Sequence, residues 1–172
     1  LTGTTEMYDG TSWTEVADMA VARRGLGKAG AYNNAIAMGG LGPAKSNTEE
    51  FNVTVNTVTA AAWASGGALP AVNNGLAGCG IQTAALGFGS RTPGQDQATY
   101  EYDGSSWSSG GSLGTPIGNG NGAGTQTAGL SFGGGPSGGT STDSREYDGS
   151  SWTAGNSMNN AKSLAAGTGT QT

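Results

Sequence analysis

A short aromatic motif recurs along this chain and constrains its fold more than any other feature. The sequence Tyr-Asp-Gly-Thr-Ser-Trp occupies positions 8–13, and Tyr-Asp-Gly-Ser-Ser-Trp occupies 102–107 and 147–152. Trp63 marks a degenerate copy between the first and second of these, so that the tryptophans recur at nearly equal intervals. A fixed period of about 45 residues is typical of architectures in which each repeat forms one supersecondary unit. The aromatic residues to which we assign a structural role in this repeat are Tyr8, Trp13, Trp63, Tyr102, Trp107, Tyr147 and Trp152.

The four copies align at constant distances from the tryptophan, and the alignment shows where the length varies. One glycine recurs at the same distance after each tryptophan, at Gly30, Gly80, Gly124 and Gly169, and we call it the repeat glycine. The alternating apolar pair that follows ends in Gly-Gly or Gly-Ser in the first three copies. From that ending to the next tryptophan the interval differs among the copies and is longest before Trp63. We therefore treat the chain as one repeat segment with copies 1–40, 41–90, 91–134 and 135–172. The variable loops are 41–48, 91–98 and 135–143, all on one face.

The hexapeptide predicts a β-hairpin. Asp-Gly is a favoured pair for a two-residue type I′ turn, because both central positions need positive φ. Each tyrosine then ends one strand and each tryptophan begins its partner, and alternation places Glu50, Glu101 and Glu146 on the opposite face from the aromatic residue that follows. In copy two, the pattern over 51–63 predicts a longer strand pair. With one strand at the repeat glycine and another before the glycine pair, each unit has four strands, which is typical of a β-propeller blade.

Composition excludes several classes of function. The net charge is −5 with only seven Lys and Arg residues, which argues against binding to a nucleic-acid backbone. The chain has no histidine and one cysteine, Cys79, which excludes Ser-His-Asp and Cys-His sites, a cysteine zinc site and an intrachain disulfide. No apolar run approaches the roughly 18 residues of a membrane span. We expect no catalytic residue, no metal and no cofactor, and hence no enzyme activity in this chain.

The first copy carries a family resemblance. Residues 5–40, TEMYDGTSWTEVADMAVARRGLGKAGAYNNAIAMGG, resemble a kelch repeat, in which Tyr-Asp, Trp, a Met followed by Arg, and an apolar strand ending in Gly-Gly recur in that order. Met19 and Arg23 keep the spacing of the family's Met and Arg, whereas the interval from tyrosine to tryptophan is shorter than the usual one. The YDGSSW and GTQTA segments are similar to kelch-like repeats in structural proteins of marine, cyanophage-like bacteriophages. The resemblance implies an all-β fold of kelch-like propeller blades, each with four antiparallel strands.

The recurring residues have structural interpretations in such a fold. The hairpin tyrosines and tryptophans are expected to pack between neighbouring blades, and Asp9, Asp103 and Asp148 suit a turn better than a calcium site. The repeat glycine is expected on the innermost strand, where blades crowd around the axis. Glutamines occupy one further position in three copies, where they either close backbone hydrogen bonds between blades or ring a channel and bind a ligand. These are Gln82, Gln126 and Gln171.

The strand count predicts an incomplete propeller. The copies give fifteen strands: the last two of one blade, three whole blades and the first of another. If the ends met in a closed ring, a middle strand of the closing blade would be absent. Its two neighbours would then face each other across about 10 Å, twice the spacing of paired strands. We therefore expect a partial propeller that is completed by further chain or by another copy.

Two functional hypotheses from different classes follow. The first is a non-enzymatic structural or interaction propeller on a virion or other extracellular surface, which contacts a protein or glycan through the variable loops and binds neither nucleic acid nor membrane. Its candidate binding residues are the charged and polar loop residues Lys45, Arg91, Gln95, Asp96 and Asp143. The alternative is the propeller part of an enzyme whose catalytic residues lie outside this chain.

Overall fold

The computed structural model describes residues 3–31, 33–41, 45–53, 62–93 and 96–170. Within these residues the chain forms fourteen β-strands and one short 3-10 turn at Pro136–Gly138. The strands are β1 (Thr5–Tyr8), β2 (Trp13–Val16), β3 (Gly27–Ala31), β4 (Asn34–Met38), β5 (Thr48–Asn52), β6 (Ala62–Ser65), β7 (Ala77–Ile81), β8 (Ala84–Phe88), β9 (Thr99–Tyr102), β10 (Trp107–Ser109), β11 (Asn121–Gly124), β12 (Gly129–Phe132), β13 (Ser144–Tyr147) and β14 (Trp152–Ala154).

The strands form three similar sheets and one hairpin. Sheet 1 contains β3 to β6, sheet 2 contains β7 to β10 and sheet 3 contains β11 to β14, while β1 and β2 form an N-terminal hairpin. In each sheet the strands pair with their sequence neighbours in antiparallel order. The predicted all-β class and the four-stranded antiparallel unit are therefore confirmed.

The fifteenth predicted strand is not formed. Residues 166–170, which stand at the same distance from their tryptophan as β3, β7 and β11 do, have no strand assignment. A strand needs a hydrogen-bonded neighbour, and no described residue occupies the position that β4, β8 and β12 hold beside the other first strands. The longer strand pair predicted over 51–63 lies largely outside the described residues.

The hairpin turns differ from the prediction. Tyr102 pairs directly with Trp107, so the connection has the four residues 103–106 and is not a two-residue type I′ turn. Only Gly104 in this loop has a positive φ, at 94°. The Asp103 carboxylate instead organises the loop, because its Oδ1 accepts the amide hydrogens of Ser105 and Ser106 at 2.8 and 2.7 Å. Loops 9–12 and 148–151 have the same aspartate bonds, which agrees with the predicted turn role of these residues.

The first strands of the three sheets lie side by side, and glycine permits their close approach. A methyl group added at Gly122 on β11 would lie 2.6 Å from the carbonyl oxygen of Gly78 on β7.

The repeat glycine is required for another reason. Gly80 has a φ of 97°, and an added methyl would lie 2.3 Å from the Ala84 oxygen in its own hairpin. The repeat glycine thus lies on the first strand of each sheet, and the tight turn that follows requires glycine there; its place on the innermost strand of a propeller stays a prediction.

Apolar side chains fill the spaces between neighbouring sheets. The cluster between sheets 1 and 2 contains Ile36, Met38, Leu69, Leu76, Ala85, Tyr100 and Tyr102. The cluster between sheets 2 and 3 contains Ala77, Cys79, Leu86, Phe88, Leu113, Ile117 and Tyr147. Burial of one large apolar side chain contributes about 1.5–3 kcal/mol, so a few such residues for each interface can hold sheets that are otherwise built from Gly, Ala and Ser.

Hydrogen bonds from the recurring tryptophans also cross the boundaries between neighbouring sheets. The indole nitrogens of Trp107 and Trp152 donate to the hydroxyls of Thr48 and Thr99 in the preceding sheet, at 3.0 and 2.9 Å. The Trp63 indole donates in the same way to Thr5 of the N-terminal hairpin, at 3.2 Å. Each of these three tryptophans therefore connects its own sheet to the element before it.

Two tyrosines and two glutamines add to these links. The Tyr102 hydroxyl donates to Glu50, and the Tyr147 hydroxyl donates to Glu101. Gln82 donates to a carbonyl of sheet 1, and Gln126 donates to the Ala85 and Tyr102 carbonyls of sheet 2, which is the backbone-closing role predicted for them. Gln171 lies outside the described residues. Tyrosine, tryptophan and glutamine thus act together as connectors between sheets.

Candidate binding surface

Three loops leave the same edge of the three sheets, each after the second strand. Each loop is closed at its base by a hydrogen bond from the first glycine after the strand to a carbonyl at the far end of the loop. These bonds, all of 2.9 Å, join Gly39 to Asn47, Gly89 to Ala98 and Gly133 to Asp143. We call this edge, with loops 39–47, 89–98 and 133–143, the loop edge. The constant base lets each loop vary in length without disturbing the strands that carry it.

A second set of bonds fixes each loop to the segment that follows the last strand of its sheet. The residue after the loop's first glycine donates its amide to a carbonyl in that segment. These bonds join Gly40 to Asn73 at 3.3 Å, Ser90 to Ile117 at 2.7 Å and Gly134 to Lys162 at 2.7 Å. The loop edge is therefore tied both within and between sheets, and this produces a firm platform for the loop tips.

Two of the predicted binding residues are engaged in this platform through their backbone. Lys45 forms a β-bridge with Asn73, and its amide donates to the Gly40 carbonyl at 2.8 Å. The Asp96 carbonyl accepts the amide of Ile117 at 2.8 Å, and the residue is half-buried. Their side chains start from fixed positions beside the platform.

The other predicted residues differ in position. Asp143 is exposed, and its amide is held by the Ser141 hydroxyl at 3.0 Å. Arg91 is also exposed, and among the described residues no carboxylate forms an ion pair with it. Gln95 lies outside the described residues. Of the predicted set, Arg91 and Asp143 present charge to solvent from loop positions that the backbone fixes.

Arg91 lies across a floor of glycines. A methyl group added at Gly75 or Gly118 would lie 2.9 or 2.8 Å from carbon atoms of the Arg91 side chain, and one at Gly138 would lie 2.7 Å from its Nε. The Arg91 side chain is therefore supported by three backbone segments, of which only the one at Gly138 belongs to a loop of the loop edge. This packing reduces the conformational entropy that a ligand would otherwise have to fix on binding.

A cavity of about 330 Å³ opens near this arginine. It is lined by four equivalent segments, 25–28, 75–78, 119–122 and 164–167, each from a different copy of the repeat. The first residue of each segment has a left-handed backbone, with φ of 59° at Gly25, 65° at Gly75, 55° at Asn119 and 51° at Leu164. Successive members are joined by amide-to-carbonyl bonds of 3.3, 3.1 and 3.0 Å in that order. We call this cavity the mouth.

Sequence reasoning missed the mouth, although a signal was present. Its first residues all stand at one constant distance after a tryptophan, and Gly and Asn are the residues that most readily adopt a left-handed backbone. Asn119 adds a side-chain amide at the rim, where its Nδ2 donates to the Gly138 carbonyl at 3.4 Å. Arg91 and Asn119 both approach Gly75 and Gly138, so a guanidinium and an amide meet at one side of the mouth. Such donors suit oxygen-rich ligand groups such as carboxylates and sugar hydroxyls.

Arg23, which the sequence singles out through the kelch spacing, is not available for binding. It is buried and forms an ion pair with Glu49. Its Nη1 also donates to the carbonyls of Gly39 and Asn47 at 3.1 and 2.9 Å, and the second oxygen of Glu49 accepts the Ala20 amide at 2.7 Å. This pair closes the base of loop 39–47, so Arg23 and Glu49 serve the fold.

Other ionisable groups with shifted pKa values also have structural roles. Hydrogen bonds from the amides of Ser106 and Ser151 are the first cause of the lowered pKa values of Asp103 and Asp148, the latter to about 2. Burial raises the pKa of the Cys79 thiol to about 12. In the described part of the chain, no group of three His, Cys, Asp or Glu side chains is arranged to hold a metal ion. Across those same residues, no helix is long and apolar enough to span a membrane.

A comparison with protein-family models finds no match for this chain, and a comparison with curated proteins also finds none.

Proposed function

We propose that the chain is a segment of a kelch-like β-propeller and that it works without catalysis, as a structural and interaction module. Three four-stranded antiparallel sheets whose first strands lie side by side support this proposal. The kelch-like order of residues over 5–40 supports it independently. In this proposal each sheet is one blade, and the tyrosine, tryptophan and glutamine links are the joints between blades.

The proposed contact surface is the loop edge together with the mouth. The observation that carries this assignment is the doubly anchored base beneath loops of different length, with Arg91 and Asn119 meeting beside the mouth. Binding surfaces are commonly loops on a rigid scaffold, because the scaffold fixes the loop ends while the tips vary. A protein or glycan that presents carboxylates or hydroxyls matches the donors at the rim. By its resemblance to bacteriophage structural repeats, the module is assigned to a virion or other extracellular surface.

The experiment compares binding by the parent chain and by single-site variants. Glycan arrays and protein pull-downs with candidate host-surface fractions supply a ligand, and the affinity for it is then measured by calorimetry. Arg91→Ala is expected to weaken binding by about tenfold or more, since truncation of a central contact residue commonly has an effect of this size. Asp143→Ser tests the second exposed charge.

The matched control is Glu15→Ser, which removes an exposed carboxylate from β2, outside the three loops. Its affinity is expected to equal that of the parent chain. Circular dichroism of every variant shows that the fold is retained. Binding that is unchanged in the Arg91 and Asp143 variants, and also survives replacement of all three loops by short Gly-Ser turns, would sink the assignment of the loop edge.

A further inference from the structure

Residues 166–170 lie where the first strand of a fourth sheet would lie. A methyl group added at Gly167 would meet the Phe132 ring at 2.4 Å, just as one at Gly122 would meet the Phe88 ring at 3.0 Å. Gly169 has a φ of 128°, close to the 104° of Gly124 at the equivalent position in β11. The segment therefore keeps the packing and the backbone conformation of a first strand, although it has no strand partner among the described residues.

The N-terminal hairpin lies where third and fourth strands lie in the other sheets. Tyr8 pairs with Trp13 in the register that Tyr102 and Trp107 have in sheet 2. Thr5 accepts the indole hydrogen of Trp63, as Thr48 and Thr99 accept those of later tryptophans. β1 is thus equivalent to β5, β9 and β13. Among the described residues, it pairs with β2 only.

A cleft separates these two elements. It has a volume of about 850 Å³ and is lined on one side by residues 4–6 and on the other by 167–169. One wall is the face of sheet 1, with residues 28–30 and 35–37, and the first strands β7 and β11 also border it. Residues 166–170, equivalent to a first strand, and β1, equivalent to a third strand, thus border one cleft. Within the described part of the chain, no second strand lies between them.

We infer that this cleft binds one extended β-strand, which pairs antiparallel with residues 166–170 on one side and with β1 on the other. The strand has the chemistry of β8 and β12: a small residue alternates with Leu or Phe, and Gly follows. In sheet 2 the residues at these positions, Ala85, Leu86 and Phe88, are fully buried. Small residues let the strand lie against the neighbouring sheet, and the large apolar ones fill the space between sheets. The inference is independent of the ligand proposed for the loop edge.

Exposed strand edges favour this occupant over a folded domain or a small molecule. A strand edge offers backbone donors and acceptors at regular intervals, and addition of a strand satisfies them along the whole edge. Here two edges border the same cleft, so a single strand gains a ladder on each side. The sequence beside the cleft also points to this strand type: residues 169–172 have the same sequence, Gly-Thr-Gln-Thr, as residues 124–127, which lead into β12 in sheet 3.

The test adds the synthetic peptide Ala-Gly-Leu-Ser-Phe-Gly-Gly, the sequence of 128–134, to the full chain. Hydrogen exchange of individual amides is followed by NMR. At saturating peptide, exchange of the β1 amides on the edge away from β2 is expected to slow by about tenfold or more, since pairing converts open backbone groups into ladder bonds. The control peptide replaces Leu and Phe with Pro, which cannot donate to a ladder.

A second arm fuses the same seven residues directly after Thr172, so that the strand acts at high effective concentration. The fusion is expected to raise the thermal midpoint and to slow exchange in β1 and in residues 166–170, whereas the Pro-containing fusion leaves both unchanged. Equal effects from the Pro version, or protection confined to the outer edge at β14, would overturn the inference. An absence of protection at β1 in both arms would do the same.

Discussion

The bond from Tyr102 to Glu50 offers a quantitative test of how neighbouring sheets are joined. Tyr102 is 1% exposed, and its hydroxyl donates across the boundary between sheets 1 and 2. Burial is the first cause that raises its pKa to about 12, and the Glu50 carboxylate is the second. The perturbations are Tyr102→Phe, Glu50→Met and the two together.

The chain already contains an interface without this bond. Met7 occupies the position equivalent to Glu50, and Phe51 occupies the position equivalent to Tyr102. At the boundary between the N-terminal hairpin and sheet 1, the repeat therefore has neither the carboxylate nor the hydroxyl. The double variant copies this apolar arrangement into the next boundary.

The magnitudes follow from what each single change leaves behind. Tyr102→Phe removes a bond to a charged group, which is worth about 1.5–3 kcal/mol, and the lower half applies because Glu50 is only half-buried. Glu50→Met leaves the buried Tyr102 hydroxyl without an acceptor for its proton, at a cost of about 1–3 kcal/mol. Removal of both groups together has a much smaller effect, so the double variant is expected within about 1 kcal/mol of the parent, and the coupling energy is at least about 1.5 kcal/mol.

Equilibrium unfolding in urea, followed by tryptophan fluorescence, measures these free energies. Tyr8→Phe is the control, because Tyr8 is 46% exposed and its loss is expected to change the free energy of unfolding by less than about 0.5 kcal/mol. If the two single effects simply add in the double variant, the bond does not join the sheets and the reasoning is refuted.

The same bond predicts a dependence on alkaline pH. The folded-state pKa of Tyr102, about 12, lies above the ordinary tyrosine value of 10.0, so the unfolded chain loses this proton first as pH rises. Between these values the unfolded state binds fewer protons, and the free energy of unfolding therefore falls with rising pH. The contribution is fully present below pH 10 and lost towards pH 12. The free energy of unfolding is therefore expected to fall less steeply between pH 10 and pH 12 in Tyr102→Phe than in Tyr8→Phe.

Three further predictions concern other parts of the fold. Arg23→Met breaks a buried ion pair and is expected to cost about 3–5 kcal/mol in urea unfolding, whereas Arg24→Met at an exposed position costs less than about 0.5 kcal/mol; equal effects would contradict the burial argument. Gly110→Ala places a methyl 2.8 Å from the Tyr147 hydroxyl and is expected to lower the thermal midpoint. Addition of Tyr147→Phe is expected to recover part of the loss, and a double variant whose thermal midpoint lies below those of both single variants would refute this. The Cys79 thiol, with a pKa of about 12, resists a disulfide reagent at pH 8 until urea unfolds the chain, and rapid labelling without urea would show that it is not buried.

The periodic residues made much of the fold predictable. Tyrosine and tryptophan at a constant interval placed the ends of paired strands correctly, because residues opposite each other in a hairpin are close in sequence. The alternation Leu86 and Phe88 located a second strand for the same reason. The predicted two-residue turn was wrong. That turn needs a positive φ at both Asp and Gly, whereas in the structure only Gly104 has one and the Asp103 carboxylate accepts two backbone amides.

Long-range partners were much less predictable than local structure. Arg23 and Glu49 are far apart in sequence, and no period relates them, so their ion pair could be found only in three dimensions. The mouth is formed by short segments from four copies, and their first residues, among them Gly25 and Leu164, share a repeat position and a backbone conformation but no side-chain type that would mark a site. Arg91 was predicted as a loop charge, but its support by three glycines depends on the packing of neighbouring loops.

The differences among the copies can be explained by their neighbours and need no ligand. Where a tyrosine donates across a boundary, the partner sheet has a glycine shortly after its tryptophan; Gly66 and Gly110 leave room for the hydroxyls of Tyr102 and Tyr147. In the copy that precedes Phe51, the same position holds Val16, which a phenylalanine without a hydroxyl tolerates. Glutamate, glycine and tyrosine therefore change together from boundary to boundary. The irregular second copy therefore has an apolar boundary in place of the hydrogen-bonded one, and both kinds are internally consistent. Differences among the copies that reflect ligand binding are instead expected at Arg91 and the loop edge, where we find no such matched changes.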